Sequence, residues 1–187
     1  MQAERHISGH NEDQVWAQVQ SDLTQAPDLL QYRAVIEQQS RTILLDIDID
    51  LGGGFEGGFA TTILSARFPN PESFRFALHE ESFFDDLGKF FGMQDVEIGY
   101  PDFDERIIVK TNDEARVRTL LTDDNTRALL QSLQDFTFEI VLADEDADGQ
   151  EATLELIIEE GITDPARLRE VYRVFFGILV MVNPFNL

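Results

Sequence analysis

The sequence predicts an α+β domain: a mainly antiparallel sheet with helices packed on one side, and with N- and C-terminal helices. Three observations carry this. From Leu45 to Leu51 apolar and acidic residues alternate without a fault, the two-residue rhythm of a half-buried strand. Strand-like runs follow one another across short turns, which favours antiparallel pairing. Helical spacing brackets them, with Val15, Trp16, Val19 and Leu23 before and Leu168, Val171, Tyr172, Phe175, Ile178, Leu179 and Val182 after.

Residues 1–10 read as a flexible tail and 11–187 as a single α+β domain. A helix starts after Asn11, with Glu12 and Asp13 in its first turn, where carboxylates suit the helix dipole. Pro27 breaks it. Leu29, Leu30, Tyr32, Val35 and Ile36 then suggest a second helix over 29–39. After the Leu45–Leu51 strand, glycine-rich residues 52–58 form a turn into a strand at Phe59–Phe68. Asn70-Pro71 turns the chain into a third strand over 73–78. Residues 80–94, rich in Phe, read as a short helical or irregular segment.

Val96–Ile98 and Glu105–Thr111 are expected as strands around Tyr100-Pro101-Asp102. Asn112 or Asp113 caps a helix carrying Val117, Leu120 and Leu121, and another helix follows Thr122-Asp123. Phe136–Ala143 and Ala152–Glu160 form a hairpin around DEDADG. Asp164 caps the last helix, Pro165 takes its first position, and Asn183-Pro184 ends it near Val182.

Among 187 residues, 36 are Asp or Glu and 14 Lys or Arg, a formal charge of −22. Such a surface repels phosphate backbones and anionic head groups, so neither nucleic acid nor membrane is expected as partner. A protein partner of basic character, a divalent cation or a salty cytoplasm suits it better. The absence of Cys removes disulfides, thiolate metal sites and cysteine nucleophiles. The N-terminal residues lack the basic-then-apolar order of a signal peptide, and the most apolar run, Val174–Val182, falls short of the roughly 20 residues that span a bilayer. The expected location is cytoplasmic.

One stretch matches a calcium loop in full: Asp144-Glu145-Asp146-Ala147-Asp148-Gly149 and, five residues on, Glu155. Asp144, Asp146, Asp148 and Glu155 would be the metal ligands, with calcium as the cofactor implied. Both flanks read as strands rather than helices, however, and a Glu155 on an extended strand sits too far along to fold back as a bidentate ligand. The competing reading is an acidic hairpin turn. Gly52-Gly53-Gly54-Phe55-Glu56-Gly57 contains G-x-G-x-x-G, but a strand-like run follows where the dinucleotide fingerprint needs a helix. Asp46, Asp48 and Asp50 share one strand face, with Arg67 and Arg75 expected to neutralise them. His6 and His10 fall in the expected tail, and His79 reads as a surface residue. No catalytic histidine or serine motif occurs, so the chain is not expected to be an enzyme.

Residues 97–113, EIGYPDFDERIIVKTND, and the leucine-bearing helix after them resemble a family of uncharacterised bacterial α+β proteins carrying an F-D-x-R…N-D segment. The resemblance covers about the second half of the chain. It implies an α+β domain and transfers no active site; many such proteins are membrane-tethered, a feature this sequence departs from. Within the motif, Phe103 and Ile108 are expected to be buried and Asp104 to pair with Arg106. The order of elements is also similar to bacterial secretion chaperones. The resulting expectation is a non-catalytic protein-interaction module, binding through its sheet face or its last helix, with a second copy of the chain as a further partner. The alternative is a divalent-cation-binding domain using the 144–155 loop.

Overall fold

In a computed structural model of the chain, residues 4–26, 29–53, 57–80, 92–142 and 151–184 are described. The alternation at Leu45–Leu51 belongs to β3 (Arg41–Asp50), whose Ile43, Leu45 and Ile47 are buried. On one side it pairs with β2 (Gln31–Gln38), on the other with β4 (Phe59–Pro69), both antiparallel. β2 replaces the helix expected over 29–39. Tyr32, Ala34, Ile36 and Gln38 are buried and alternate with Gln31, Arg33 and Glu37, which are exposed. A two-residue turn explains the difference. Gln39 and Ser40 both adopt positive φ, 49° and 59°, as a tight hairpin requires, and neither is the Gly or Asn that would advertise one.

Arg5–Gly9, expected to belong to the flexible tail, forms β1 and adds to β2 in parallel. Its single buried side chain, Ile7, anchors it; one apolar residue in five is too little pattern to read as a strand. The chain therefore opens on a strand, and the first helix, α1 (Glu12–Gln25), comes second. Asn11 caps it by accepting from the Gln14 N–H.

β3 and β4 pair antiparallel with Asp50 opposite Phe59; residues 54–56 of the glycine-rich stretch between them lie outside the described residues. Gly58 is needed there, because a Cβ would lie 2.4 Å from the Asp50 carbonyl oxygen. The third expected strand appears slightly later, as β5 (Phe76–Glu80), behind a turn in which Asn70 exchanges two hydrogen bonds with the Phe74 backbone. Residues 81–91 lie outside the described residues.

Residues 94–111 differ in detail from expectation. The strand expected at Val96–Ile98 is β6 (Gln94–Asp95), and β7 (Ile107–Thr111) is preceded by a short helix, α2 (Pro101–Asp104). Proline at the first helical position starts that turn. The two capped helices follow as α3 (Glu114–Leu120) and α4 (Asp124–Ser132), the caps being Asp113 and Asp123. The hairpin is β8 (Phe136–Leu142) with β9 (Glu151–Ile158), and α5 (Pro165–Val182) closes the chain behind its Asp164 cap.

Among the described residues nine strands form one mixed sheet in the order β1-β2-β3-β4-β9-β8-β5-β7-β6, with β1 and β2 parallel and the other pairs antiparallel. Directly paired residues fall on one face. A continuous apolar row therefore runs Ala34, Leu45, Leu64, Leu156, Phe138, Leu78, Val109 across seven strands, and every member is buried. This is the inner face, and α5 packs on it. Phe175 stacks on Phe138 with ring centroids 5.9 Å apart, and the Tyr172 hydroxyl donates to Gln38 Oε1 at 2.8 Å. Trp16 of α1 meets Tyr172 at 5.7 Å and donates its indole N–H to the Pro165 carbonyl. In the second half of α5, Val174, Phe175, Ile178, Leu179 and Val182 are buried, whereas Met181 is 43 % exposed.

Candidate interaction surface

The opposite, outer face of the sheet is different in composition. Its rows follow from the same register. One runs Val35, Leu44, Ser65, Glu155, Glu139, Ala77, Lys110; the next runs Arg33, Asp46, Ile63, Ile157, Thr137, His79, Ile108. At the β5 end, Ala77 and His79 are buried. Over β2, β3 and β4 the face is open: Leu44, in the middle of a ten-residue strand, is 47 % exposed. Val35, Ile63 and Ile157 beside it are half-buried. Phe59, on the same face at the start of β4, is also exposed.

Carboxylates interleave with these aliphatics. Asp46 is bound by the Arg33 guanidinium, its direct cross-strand neighbour. Asp48 accepts from Gln31 Nε2 at 3.1 Å, and Asp50 accepts from the Gly52 N–H at 2.9 Å. The expected partners were Arg67 and Arg75. Arg67 lies opposite Thr153 instead, and β4, β9 and β8 separate β3 from β5, just before which Arg75 sits. Arg33 falls in the segment whose spacing predicts a helix, and only its place in β2 sets it opposite Asp46.

Glu139 and Glu155 stand directly opposite each other across β8 and β9. Glu155 forms no ion pair with a described residue. Of the four expected metal ligands, Asp144, Asp146 and Asp148 lie outside the described residues. Glu155 is the fifth residue of β9, on extended backbone about 13 Å from Glu151 at roughly 3.3 Å per residue. That places it as the strand reading requires and not in the helical turn from which an EF-hand glutamate reaches its ion. No group of three metal-ligating side chains exists among the described residues.

The remaining sequence candidates resolve as follows. His79, expected on the surface, is buried in β5, with Nδ1 2.9 Å from the Glu80 carbonyl oxygen. His6 is exposed beside Glu4, and the His10 backbone N–H donates to Gln14. Within the F-D-x-R motif Phe103 is buried and Ile108 half-buried on the outer face. Asp104 and Arg106 do not pair. Asp104 accepts from the Ile98 and Gly99 N–H groups, and Arg106 binds Glu80 and the Leu133 carbonyl. The helix turn at Pro101–Asp104 points these two side chains to different partners.

A concavity of about 740 Å³ lies between α4 and α5. Leu129 and Val174 line it together with Ala128, Gly177 and Met181, and Asp123, Arg167, Glu170 and Arg173 edge it. Its cations are engaged: Arg167 donates to Ser132 Oγ and Arg173 to Glu12.

These features define an α+β domain with a nine-stranded mixed sheet. No family model matches the chain, and no curated protein matches it. Among solved structures it is similar to the crystal structure of the mycobacterial trehalose monomycolate transport factor A, TtfA. The identity is 11 %, over 78 % of this chain and 69 % of that one, with a TM-score of 0.43. A likeness of that extent says nothing about ligand or partner. No helix among the described residues is long and apolar enough to cross a membrane.

Proposed function

We propose that the chain is a non-catalytic protein-interaction module that docks a basic partner on the outer face of its sheet. The observation that carries this reading is Leu44. A leucine left 47 % exposed inside a strand that is paired on both sides forgoes burial that its neighbours on the inner face obtain. Beside Val35 and Ile63 it supplies an apolar centre, while Asp46, Asp48, Glu139 and Glu155 supply a carboxylate surround. Interfaces are built this way, with an apolar core inside a polar rim. The charge of −22 would draw a cationic partner in and keep copies of the chain apart.

The test is capture from the native host with wild type, Leu44→Arg and Met181→Arg as baits. The reading predicts a species retained by wild type and by Met181→Arg, released by salt, and lost with Leu44→Arg. Loss with Met181→Arg alone would move the docking site to the last helix and refute it.

A further inference from the structure

We infer that β1 is the seam of a homodimer, in which it pairs antiparallel with β1 of a second copy of the chain. Among the described residues the sheet ends in two strands of unlike length. At one end β6 has two residues, and so short an edge gives another chain little to join. At the other end β1 has five, none of them proline, and it is laddered to β2 on one side only. Alternate residues of such a strand turn their N–H and C=O groups outward. Ser8 is one of them, since its carbonyl accepts from Gln18 Nε2 of α1 at 2.8 Å. His6, two residues back, points the same way. Antiparallel pairing of two identical edges about a two-fold axis is self-complementary. With the axis at Ile7, His6 of one copy lies opposite Ser8 of the other, and each such pair exchanges two N–H···O bonds.

Charge selects a second copy as the occupant. The −22 of the chain keeps copies apart wherever carboxylates face one another, so a self-contact needs a strip without unpaired ones. α1, which follows β1 directly, supplies it. From Gln14 to Gln25 seven of its side chains are exposed and none of the seven is charged; depletion of charge is what marks the centre of an interface. Gln14, Gln18, Ser21 and Gln25 recur at helical spacing on one face, the face from which Gln18 reaches Ser8. Between α1 and β1 a groove of about 430 Å³, lined by His6, Ala17 and Ser21 among others, leaves room for the incoming chain. The carboxylates around the strip have neighbours within their own copy. Asp22 lies 3.9 Å from Arg5, Glu4 lies 3.6 Å from His6, and Glu12 and Asp13 are bound by Arg169. Such a strip offers a cationic partner little to pair with.

Sedimentation velocity of the full chain, over a range of concentrations at low salt and at about 1 M, tests this. Wild type should form a dimer whose affinity rises with salt, as screening removes the long-range repulsion. Ser8→Pro deletes an outward N–H without touching the β2 ladder, the setting in which an edge strand tolerates proline. Ala17→Glu sets a carboxylate from each copy beside the axis. Each should raise the dimer dissociation constant at least about tenfold. Leu44→Glu makes the same charge change on the outer face and should leave it within about twofold. Circular dichroism checks the fold of Ser8→Pro; were that variant to misfold, Ala17→Glu, at an exposed helix position, decides alone. A monomer at every concentration and salt would overturn the inference. So would a dimer that survives Ala17→Glu or a folded Ser8→Pro, or one that Leu44→Glu weakens as much as Ala17→Glu does. Open-ended assembly would contradict it too, because a two-fold seam closes on itself.

Discussion

Glu12 ties the two ends of the chain together. Its carboxylate accepts from Arg173 at 2.7 Å and 3.0 Å and from Arg169 at 2.5 Å, joining α1 to α5. Hydrogen bonding to Arg173 holds the carboxyl below its ordinary range, against an opposing push from partial burial. A depressed folded value means that this stabilisation is present above the unfolded carboxylate value, about 4.3, and disappears as pH falls through the folded one. Glu12→Gln should cost about 1 kcal/mol at neutral pH in a denaturant titration. The gap to wild type should close below about pH 4. A gap that persists in acid would show that Glu12 acts by packing instead. At Gly58, where a Cβ would meet the Asp50 carbonyl, Gly58→Ala should cost about 1–3 kcal/mol. An unchanged denaturation midpoint would mean that the β3–β4 turn yields freely.

Elements differ in how far the sequence announces them, and the reason is local. The last helix was legible to the residue, since Asp164, Pro165 and Asn183 each mark a boundary by a distinct mechanism. β3, β4, β8 and β9 were legible from alternation. β2 was not, because Leu29, Tyr32, Val35 and Ile36 satisfy a helical spacing, and the Gln39-Ser40 turn carries no Gly or Asn. That one misreading also hid Arg33 as the partner of Asp46. β1 depends on its contact with β2, which no local pattern reveals. The Glu139–Glu155 opposition follows from register, and register was legible only in outline. At this scale the inner apolar row is the test. Leu156→Ala, fully buried between Leu64 and Phe138, should cost about 2–5 kcal/mol. A loss under 1 kcal/mol would mean the sheet is not packed as one layer. Loss of the α4 cap in Asp123→Ala, which removes bonds from the Thr126 N–H and hydroxyl, should cost about 1 kcal/mol.

Over the whole molecule charge dominates. With 36 acidic groups against 14 basic ones, self-repulsion opposes the folded state and salt screens it. The melting temperature should therefore rise from low salt to about 1 M, where the screening length is roughly 3 Å. A flat profile would show that the local pairs around Asp46, Glu12 and Glu80 already balance the field. On the proposed reading, the same field would draw a cationic partner to the outer face. Site-specific photocrosslinking in the native host tests that assignment most directly, with a photoreactive phenylalanine analogue placed at position 44 in one chain and at 181 in another. The outer-face account predicts a discrete adduct from position 44, abolished by Glu155→Lys in the same chain, and none from 181. An adduct from 181 with none from 44 would contradict it.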